Sequence, residues 1–129
     1  MKNGLEILKN GDKRWCLNDK LHRENGPAIE YANGTKSWWF NGKRHREDGP
    51  AIEYADGTKR WYLNDDLHRE DGPAVEFVDG DKYWYLNSKE YSEKEYQVEI
   101  QRRKDERIKK EEHLKEIRSF NYKLESLKL

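Results

Sequence analysis

A unit of 23 residues repeats along this chain and constrains its fold more than any other feature. Three near-identical blocks each begin with a histidine, at His22, His45 and His68. Tryptophans keep the same period and extend it by one copy toward the N-terminus, at Trp84, Trp61, Trp38 and Trp15. Supersecondary units of this kind bury their apolar side chains by stacking side by side. The sequence therefore predicts a repeat architecture with a degenerate fourth copy at the N-terminus.

Each unit is predicted to form a β-hairpin. Residues 51–54 (AIEY) alternate apolar and polar side chains, the pattern of a half-buried strand. The Asp-Gly pair at 56–57 follows as a tight turn, since both residue types tolerate positive φ, and residues 59–63 form the return strand. Asp-Gly-Pro at 48–50 connects two hairpins, because proline starts a strand where no ladder donor is needed. The four hairpins predict an antiparallel β-meander of about eight strands over residues 1–91.

Side-chain alternation divides each return strand between two faces of the sheet. One face carries the periodic tryptophans and hardly varies between copies, so we predict a shared apolar layer there. The other face varies from copy to copy, which marks positions that stacking does not dictate. Tyr, Trp and Arg are enriched where proteins bind proteins. We therefore predict a binding surface on the variable face, formed by Trp39, Arg60, Tyr62, Tyr83 and Tyr85.

A long helix is predicted in a second segment, residues 92–129. Ser92 and Glu95 form a capping box, and no glycine or proline interrupts residues 93–118. Ser119 or Asn121 is the candidate position for a break. The middle of the segment is almost entirely charged, whereas its end carries an apolar stripe at helical spacing, formed by Leu114, Ile117, Phe120, Leu124 and Leu127. We predict that this stripe pairs with a second copy of the chain or with the target.

Composition narrows the class of partner. The 26 basic and 26 acidic side chains give a formal net charge of zero, so there is no general attraction to nucleic acid or anionic lipid. Cys16 is the single cysteine, which excludes an intrachain disulfide. No apolar run reaches the roughly 18 residues of a membrane span. We expect a protein of a reducing cytoplasm, the host's if it is viral, with no membrane partner and with nucleic acid disfavoured.

The histidine ladder is the most enzyme-like feature. A zinc site needs imidazole nitrogens about 2.0–2.1 Å from one ion, but equivalent residues lie two strands, or about 9–10 Å, apart. We therefore predict no metal site, and assign the histidines to tie each bend to a neighbouring glutamate or backbone group. Glu30, Glu53 and Glu76 form a carboxylate ladder whose spacing nearly suits glycoside hydrolysis. Without a desolvated pocket around them, we predict no catalytic residue and no cofactor.

The unit resembles the MORN repeat in its divergent bacterial and viral form. Asn-Gly-Lys-Arg-His at 41–45 and Asp-Gly at 56–57 look like the family's Asn-Gly-Lys-x-His and later Asp-Gly, and the likeness covers residues 3–91. The family's Gly-x-Gly after the histidine is replaced by Arg-Glu-Asp-Gly-Pro at 46–50. The resemblance implies a single twisted sheet with a binding or scaffolding role and no catalytic residues to carry over.

Blocks with the wording HREDGPA look like those of small proteins of bacteriophages and other large viruses. That resemblance implies an accessory factor that inhibits a host enzyme or defence complex. The sequence thus predicts an α+β fold, a twisted antiparallel meander followed by a long helix, and non-catalytic binding of a macromolecule, above all a protein. Two alternatives stay open: an inhibitor that binds nucleic acid or a nucleotide, and a weak hydrolase. Steep loss of affinity with salt would favour the first, and one indispensable carboxylate the second.

Overall fold

The chain is an α+β protein in which an open antiparallel sheet precedes one helix, as the computed structural model describes it for residues 1–128. The predicted fold class is confirmed. Two compact units are distinguished, Met1–Glu93 and the residues from Lys94 onward. The predicted second segment, 92–129, ends on a residue that lies outside the described ones.

The strands are short, and most contain only two residues. They are β1 (Gly4–Ile7), β2 (Lys13–Leu17), β3 (Lys20–Leu21), β4 (Ile29–Glu30), β5 (Lys36–Ser37), β6 (Trp39–Phe40), β7 (Lys43–Arg44), β8 (Ile52–Glu53), β9 (Lys59–Arg60), β10 (Tyr62–Leu63), β11 (Asp66–Leu67), β12 (Val75–Glu76), β13 (Lys82–Leu86) and β14 (Lys89–Tyr91).

The main sheet is a meander in which the strands are hydrogen-bonded in the order β1-β2-β4-β5-β8-β9-β12-β13-β14, with β3 attached to β2. The predicted hairpins are the pairs β1-β2, β4-β5, β8-β9 and β12-β13. Two further pairs, β6-β7 and β10-β11, stand off this path. The structure therefore has more strands than the predicted eight or so.

The additional strands belong to a second hairpin in each repeat, which the sequence analysis did not predict. Phe40 of β6 pairs with Lys43 of β7, so only Asn41 and Gly42 form the loop. These two residues have φ of 50° and 78°, as a two-residue type I′ turn requires. The first hairpin turns differently, since at 56–57 only Gly57 has positive φ, 98°. The tight type I′ turns thus follow the return strands rather than precede them.

Each periodic tryptophan lies where a return strand changes its hydrogen-bonding partner. The Trp38 N–H donates to the Ala51 carbonyl of the next repeat at 2.7 Å, and the Trp38 carbonyl accepts from the His45 N–H at 3.1 Å. Trp61 is bonded in the same way to Ala74 and His68. The tryptophan backbone thus makes one hydrogen bond to the neighbouring repeat and another to its own second hairpin, so this residue connects the main sheet to that hairpin.

The arginine of each bend lies flat on one of these indoles. The guanidinium carbon of Arg46 is 3.8 Å from the centre of the Trp38 ring, and Arg23 over Trp15 and Arg69 over Trp61 repeat this geometry at 3.8 and 3.9 Å. Such cation–π contacts are favourable, and more so when they are partly desolvated. The arginine in the repeated motif is therefore a packing residue.

The rest of the bend motif holds this guanidinium in place. Nη1 of Arg46 donates to the Pro50 carbonyl at 3.1 Å, and Nε donates to Asp48 at 3.0 Å. Gly49 also lies against the group, because a Cβ there would be 3.0 Å from the guanidinium carbon. The guanidinium thus stacks on the indole and is also in contact with the glycine. We call the side of the sheet that carries these stacks the arginine face.

The prediction that the periodic tryptophans form a buried apolar layer is wrong. Trp15, Trp38 and Trp61 do share one face, but they are only half-buried and each is covered by an arginine. Burial is concentrated instead in small side chains beside the strands and in a few larger ones: Ala28, Ile29, Ala51, Tyr62, Ala74, Val75 and Leu86. Cation–π contacts on the tryptophans therefore replace part of the predicted apolar core.

The helix α1 runs without interruption from Glu93 to Ser126. The candidate break at Ser119 or Asn121 does not occur, since each of these residues lowers helix stability by only a few tenths of a kcal/mol. Tyr96 and Ile100 are its buried residues. Glu99 accepts hydrogen bonds from Arg102 and Arg103, which lower the pKa of its carboxyl to about 2.

The arginine stack makes a testable prediction about Gly49. We expect Gly49→Ala to lower the free energy of unfolding by about 1–2 kcal/mol, as overpacking does, because its methyl group would displace the Arg46 guanidinium. Urea unfolding measures this. In an Arg46→Ala background the same substitution should have no cost, since the group it clashes with is gone. An equal loss in both backgrounds would contradict the stack.

Candidate binding surface

The arginine face presents charges that are paired with one another. Register places one row of alternating sign across the strands: Lys13, Glu30, Lys36, Glu53, Lys59, Glu76 and Lys82. Glu53 also accepts from Arg46 at 3.2 Å, and Glu76 from Arg69 at 3.1 Å. We expected these glutamates to be solvated and to face lysines and Arg60. They do lie beside lysines, but their arginine partners are those of the bends, because Arg60 lies on the opposite side of the sheet.

The histidines fasten the second hairpins to the bends. Nδ1 of His22 accepts from the Asn41 N–H at 3.0 Å, and His45 does the same for Asn64 at 3.0 Å. Nε2 of His22 faces Glu24 at 3.5 Å. This confirms the predicted structural role. Within residues 1–128, no three His, Cys, Asp or Glu side chains are grouped as metal ligands.

Two open clefts lie between successive bends on the arginine face, with volumes of about 750 and 620 Å³. Their charged walls are already engaged within the chain. Arg23 lies 3.7 Å from Glu30, Arg46 is bonded to Asp48, and His45 lies 3.5 Å from Glu47. A charged ligand would have to compete with these contacts, which makes the clefts poor candidates for a site.

The opposite side of the sheet, which we call the aromatic face, is built from apolar and aromatic side chains of both hairpin strands. Its residues are Ile29, Tyr31, Ser37, Trp39, Ile52, Tyr54, Arg60, Tyr62, Val75, Phe77, Tyr83 and Tyr85. Every residue predicted for the sheet's binding surface lies here.

The predicted residues on this face differ in accessibility. Tyr83 is 39% exposed, but Tyr62 is only 5% exposed and lies under the Arg44 guanidinium, 4.1 Å from its ring centre. The prediction that Tyr62 presents its ring to a partner is therefore wrong, and the residue belongs to the core. Trp39 is half-buried, with its indole N–H donating to the Ser37 hydroxyl at 2.8 Å. Tyr85 is also half-buried, and this burial raises the pKa of its phenol.

A ladder of exposed rings on the outgoing strands was missed. Tyr31, Tyr54 and Phe77 are 37%, 36% and 36% exposed and follow the glutamate of each repeat. The signal was present, because an aromatic residue recurs there with the 23-residue period. Alternation also puts it on the same face as the isoleucine or valine two positions earlier. The prediction considered only the return strands and therefore omitted these rings.

An uncharged groove lies between the first two rings of this ladder. It has a volume of about 280 Å³ and is lined by Tyr31, Asn33, Thr35, Ser37, Trp39, Ile52 and Tyr54. Ser37 and Thr35 are buried, whereas the two tyrosines are exposed. The groove therefore has small polar and apolar groups below and aromatic rings at its sides, a composition typical of specific binding sites.

The corresponding interval in the next repeat is occupied by an arginine. Arg60 takes the place that Ser37 has in the groove, and its guanidinium carbon is 5.9 Å from the Tyr54 ring centre and 6.0 Å from that of Phe77. Its Nε is buried without a hydrogen-bond partner. No ion pair joins it to an acidic side chain in the part of the chain that the structure describes. Arg14, its equivalent in the first copy, is paired with Glu6.

The apolar stripe near the end of the helix is exposed along its length. The exposed fractions are 47% for Leu114, 42% for Ile117, 62% for Phe120, 43% for Leu124 and 81% for Leu127. These side chains are therefore accessible in the isolated chain, and pairing through them stays a prediction.

Comparison with known proteins gives no relative to guide the interpretation. No family model, curated protein or solved structure matches this chain. No helix within residues 1–128 is both long and apolar enough to cross a membrane.

The different burial of two tyrosines on the aromatic face predicts different effects of truncation. Tyr62→Ala should lower the free energy of unfolding by about 3–5 kcal/mol, as the loss of a buried aromatic side chain does. Tyr54→Ala should lower it by about 1 kcal/mol or less, the range for partly exposed positions. Denaturant midpoints measure both. A larger loss from Tyr54→Ala would mean that the ladder, rather than Tyr62, belongs to the core.

Proposed function

We propose that this protein is a non-catalytic binding module that holds a partner protein on the aromatic face of its sheet. The observation that carries the proposal is the exposed ladder of Tyr31, Tyr54 and Phe77 beside Arg60, which has no acceptor among the described residues. Contiguous exposed aromatic surface is uncommon in proteins that act alone. Aromatic and arginine side chains together are the usual composition of protein-binding hot spots.

The charge distribution favours a protein over a nucleic acid. A surface that stacks bases also needs a basic groove that follows the phosphates. The groove between Tyr31 and Tyr54 has no charged lining residue. Two arginines lie beside it: Arg60 near the Tyr54 ring, and Arg44, which is opposite Trp39 in register and is paired with Asp65. Lys36 and Lys59, the lysines of the two central hairpins, lie on the arginine face in register with glutamates. An inhibitor that binds nucleic acid or a nucleotide is therefore the second choice.

A hydrolase is the least supported alternative. Retaining and inverting glycosidases need two carboxyl groups held in different environments so that one can act as an acid. Here Glu53 and Glu76 have the same kind of arginine partner, Arg46 and Arg69 respectively. Equivalent environments supply no difference between the two carboxylates.

The resemblance of the repeats to phage proteins supports a host enzyme or defence complex as the partner.

Affinity capture tests this proposal if it is carried out with matched variants. The immobilised chain is exposed to bacterial lysate treated with nuclease, and bound proteins are compared between the wild type and the Tyr31→Ala/Tyr54→Ala variant. We expect at least one protein to be retained by the wild type and reduced about tenfold or more on the variant, since two hot-spot rings are lost.

The control is Lys36→Ala/Lys59→Ala, which changes the arginine face at the same strands and should retain the partner. Circular dichroism and urea midpoints establish that both variants are folded. Equal recovery on the wild type and the tyrosine variant would reject the aromatic face. In a parallel capture from untreated lysate, a protein that is retained there but not after nuclease treatment would favour the nucleic-acid alternative.

The exposed stripe on the helix supports a second contact, pairing with another copy of the chain. Burial of apolar surface contributes about 25 cal/mol per Å², so that several leucine-sized side chains support a modest dimer after ordering costs. Light scattering of the full chain is expected to show a concentration-dependent dimer at about 100 μM. A chain that ends at His113 should stay monomeric. A monomeric full chain at high micromolar concentration would reject pairing.

A further inference from the structure

We infer that the segment bound on the aromatic face is a proline-containing stretch in the polyproline II conformation, with a carboxylate three residues away from the proline that enters the groove. The inference rests on the proposed function and names the chemistry of its partner. It follows from three features of the face: the spacing of the ring ladder, the shape of the groove between Tyr31 and Tyr54, and the uncompensated charge of Arg60.

The spacing of the ladder matches one peptide conformation. Equivalent residues of successive repeats are two strands apart, which is about 9.4–9.8 Å at the usual strand separation. A polyproline II helix has three residues per turn and a rise of about 3.1 Å per residue, or about 9.3 Å per turn. A peptide in this conformation that crosses the strands therefore presents every third residue to equivalent positions of the ladder.

Other peptide conformations match the ladder less well. Residues on one side of an extended strand recur every 6.6 Å or so, and successive turns of an α-helix every 5.4 Å or so. Either would bring side chains to different positions in each repeat. A polyproline II segment also carries its conformation before binding, which lowers the entropy lost on association.

The groove between the first two rings suits a proline. The exposed rings of Tyr31 and Tyr54 line it together with Trp39, Ile52 and the buried Ser37. Aromatic-lined grooves are the sites at which proline-rich segments are held in other recognition domains. The backbone of such a segment has no internal hydrogen bonds, so its carbonyls can accept from the phenol O–H donors beside the groove.

Arg60 specifies a carboxylate at the next interval. Its guanidinium stands between the rings of Tyr54 and Phe77, one ladder step from the groove. Three residues of polyproline II span that step. No ion pair joins this guanidinium to an acidic side chain among the described residues, and a glutamate or aspartate from the bound segment would supply one at the accessible part of the group. The preferred motif is therefore Pro-x-x-Glu or its reverse, with aspartate as an equivalent.

Synthetic peptides test the inference directly. The probe is a fluorescein-labelled, capped decamer of prolines with one central glutamate, titrated with the full chain while fluorescence anisotropy is recorded. We expect saturation below about 1 mM protein. Replacing the glutamate by glutamine should weaken binding about fivefold, the value of a partly exposed ion pair. A glycine-serine decamer with the same glutamate keeps the charge but not the polyproline II conformation. Its anisotropy should not reach saturation over the same range of protein concentration.

The chain offers a matched pair of control variants. Arg60 and Lys59 are adjacent in β9 but lie on opposite faces. Arg60→Gln should remove the preference for glutamate over glutamine, whereas Lys59→Gln, with the same change in charge, should keep it. Tyr54→Ala should weaken both proline peptides about equally. Arg60→Lys, which preserves the charge, should restore part of the preference, and urea midpoints establish that the variants are folded.

The outcomes separate this inference from the proposed function. Absence of saturation with either proline peptide, equal binding of the glycine-serine peptide, or an equal effect of Arg60→Gln and Lys59→Gln would each overturn it. If a partner is still captured in a way that depends on Tyr31 and Tyr54, the binding function stands and only the polyproline assignment fails. If neither peptide nor partner depends on these rings, both fail.

Discussion

The repeat depends on a guanidinium that packs against both an indole and a glycine. In the second full copy Arg46 covers Trp38, lies closely against Gly49, and bonds to the Pro50 carbonyl. These contacts explain why the bend has its sequence: the aspartate orients the arginine, the glycine admits it, and the proline carbonyl accepts from it. A change in any member alters the packing of the others, so the motif recurs as a block.

This arrangement suits a sheet that lacks a thick apolar core. Only a third of the residues are apolar, 33%, and 40% are charged, so ordinary burial of aliphatic side chains supplies little. Ion pairs and cation–π contacts on one face take over part of the packing. The aromatic face is thereby less constrained, and equivalent positions there can hold Ser37 in one copy and Arg60 in the next.

Much of the fold follows from periodicity and turn chemistry. The four predicted hairpins, their antiparallel order and the helix after Ser92 were read from the 23-residue period, the Asp-Gly turns and the capping box. The second hairpin was missed because its turn has the typical type I′ pair Asn-Gly in one copy only, at 41–42, whereas the other copies have Asn-Asp or Asn-Ser there. The prediction of an apolar layer was wrong because a hydrophobicity pattern does not show that a cation covers an indole.

The binding surface was predicted less completely than the fold. The correct face was identified from its variation, but Tyr62 is buried under Arg44 of the preceding repeat. Whether a side chain of one repeat covers a residue of the next depends on how the repeats stack, and the sequence of a single unit does not reveal it. The lack of a partner for Arg60 likewise depends on which residues register places beside it.

Nuclear magnetic resonance of the arginine side chains tests the stack most directly. Protons that lie over an indole are shifted upfield by its ring current. The account predicts that the side-chain protons of Arg23, Arg46 and Arg69 are shifted upfield, whereas those of Arg102 on the helix have ordinary values. Trp38→Leu should return Arg46 alone to an ordinary shift. Unshifted signals for all three bend arginines in the folded wild type would contradict the account.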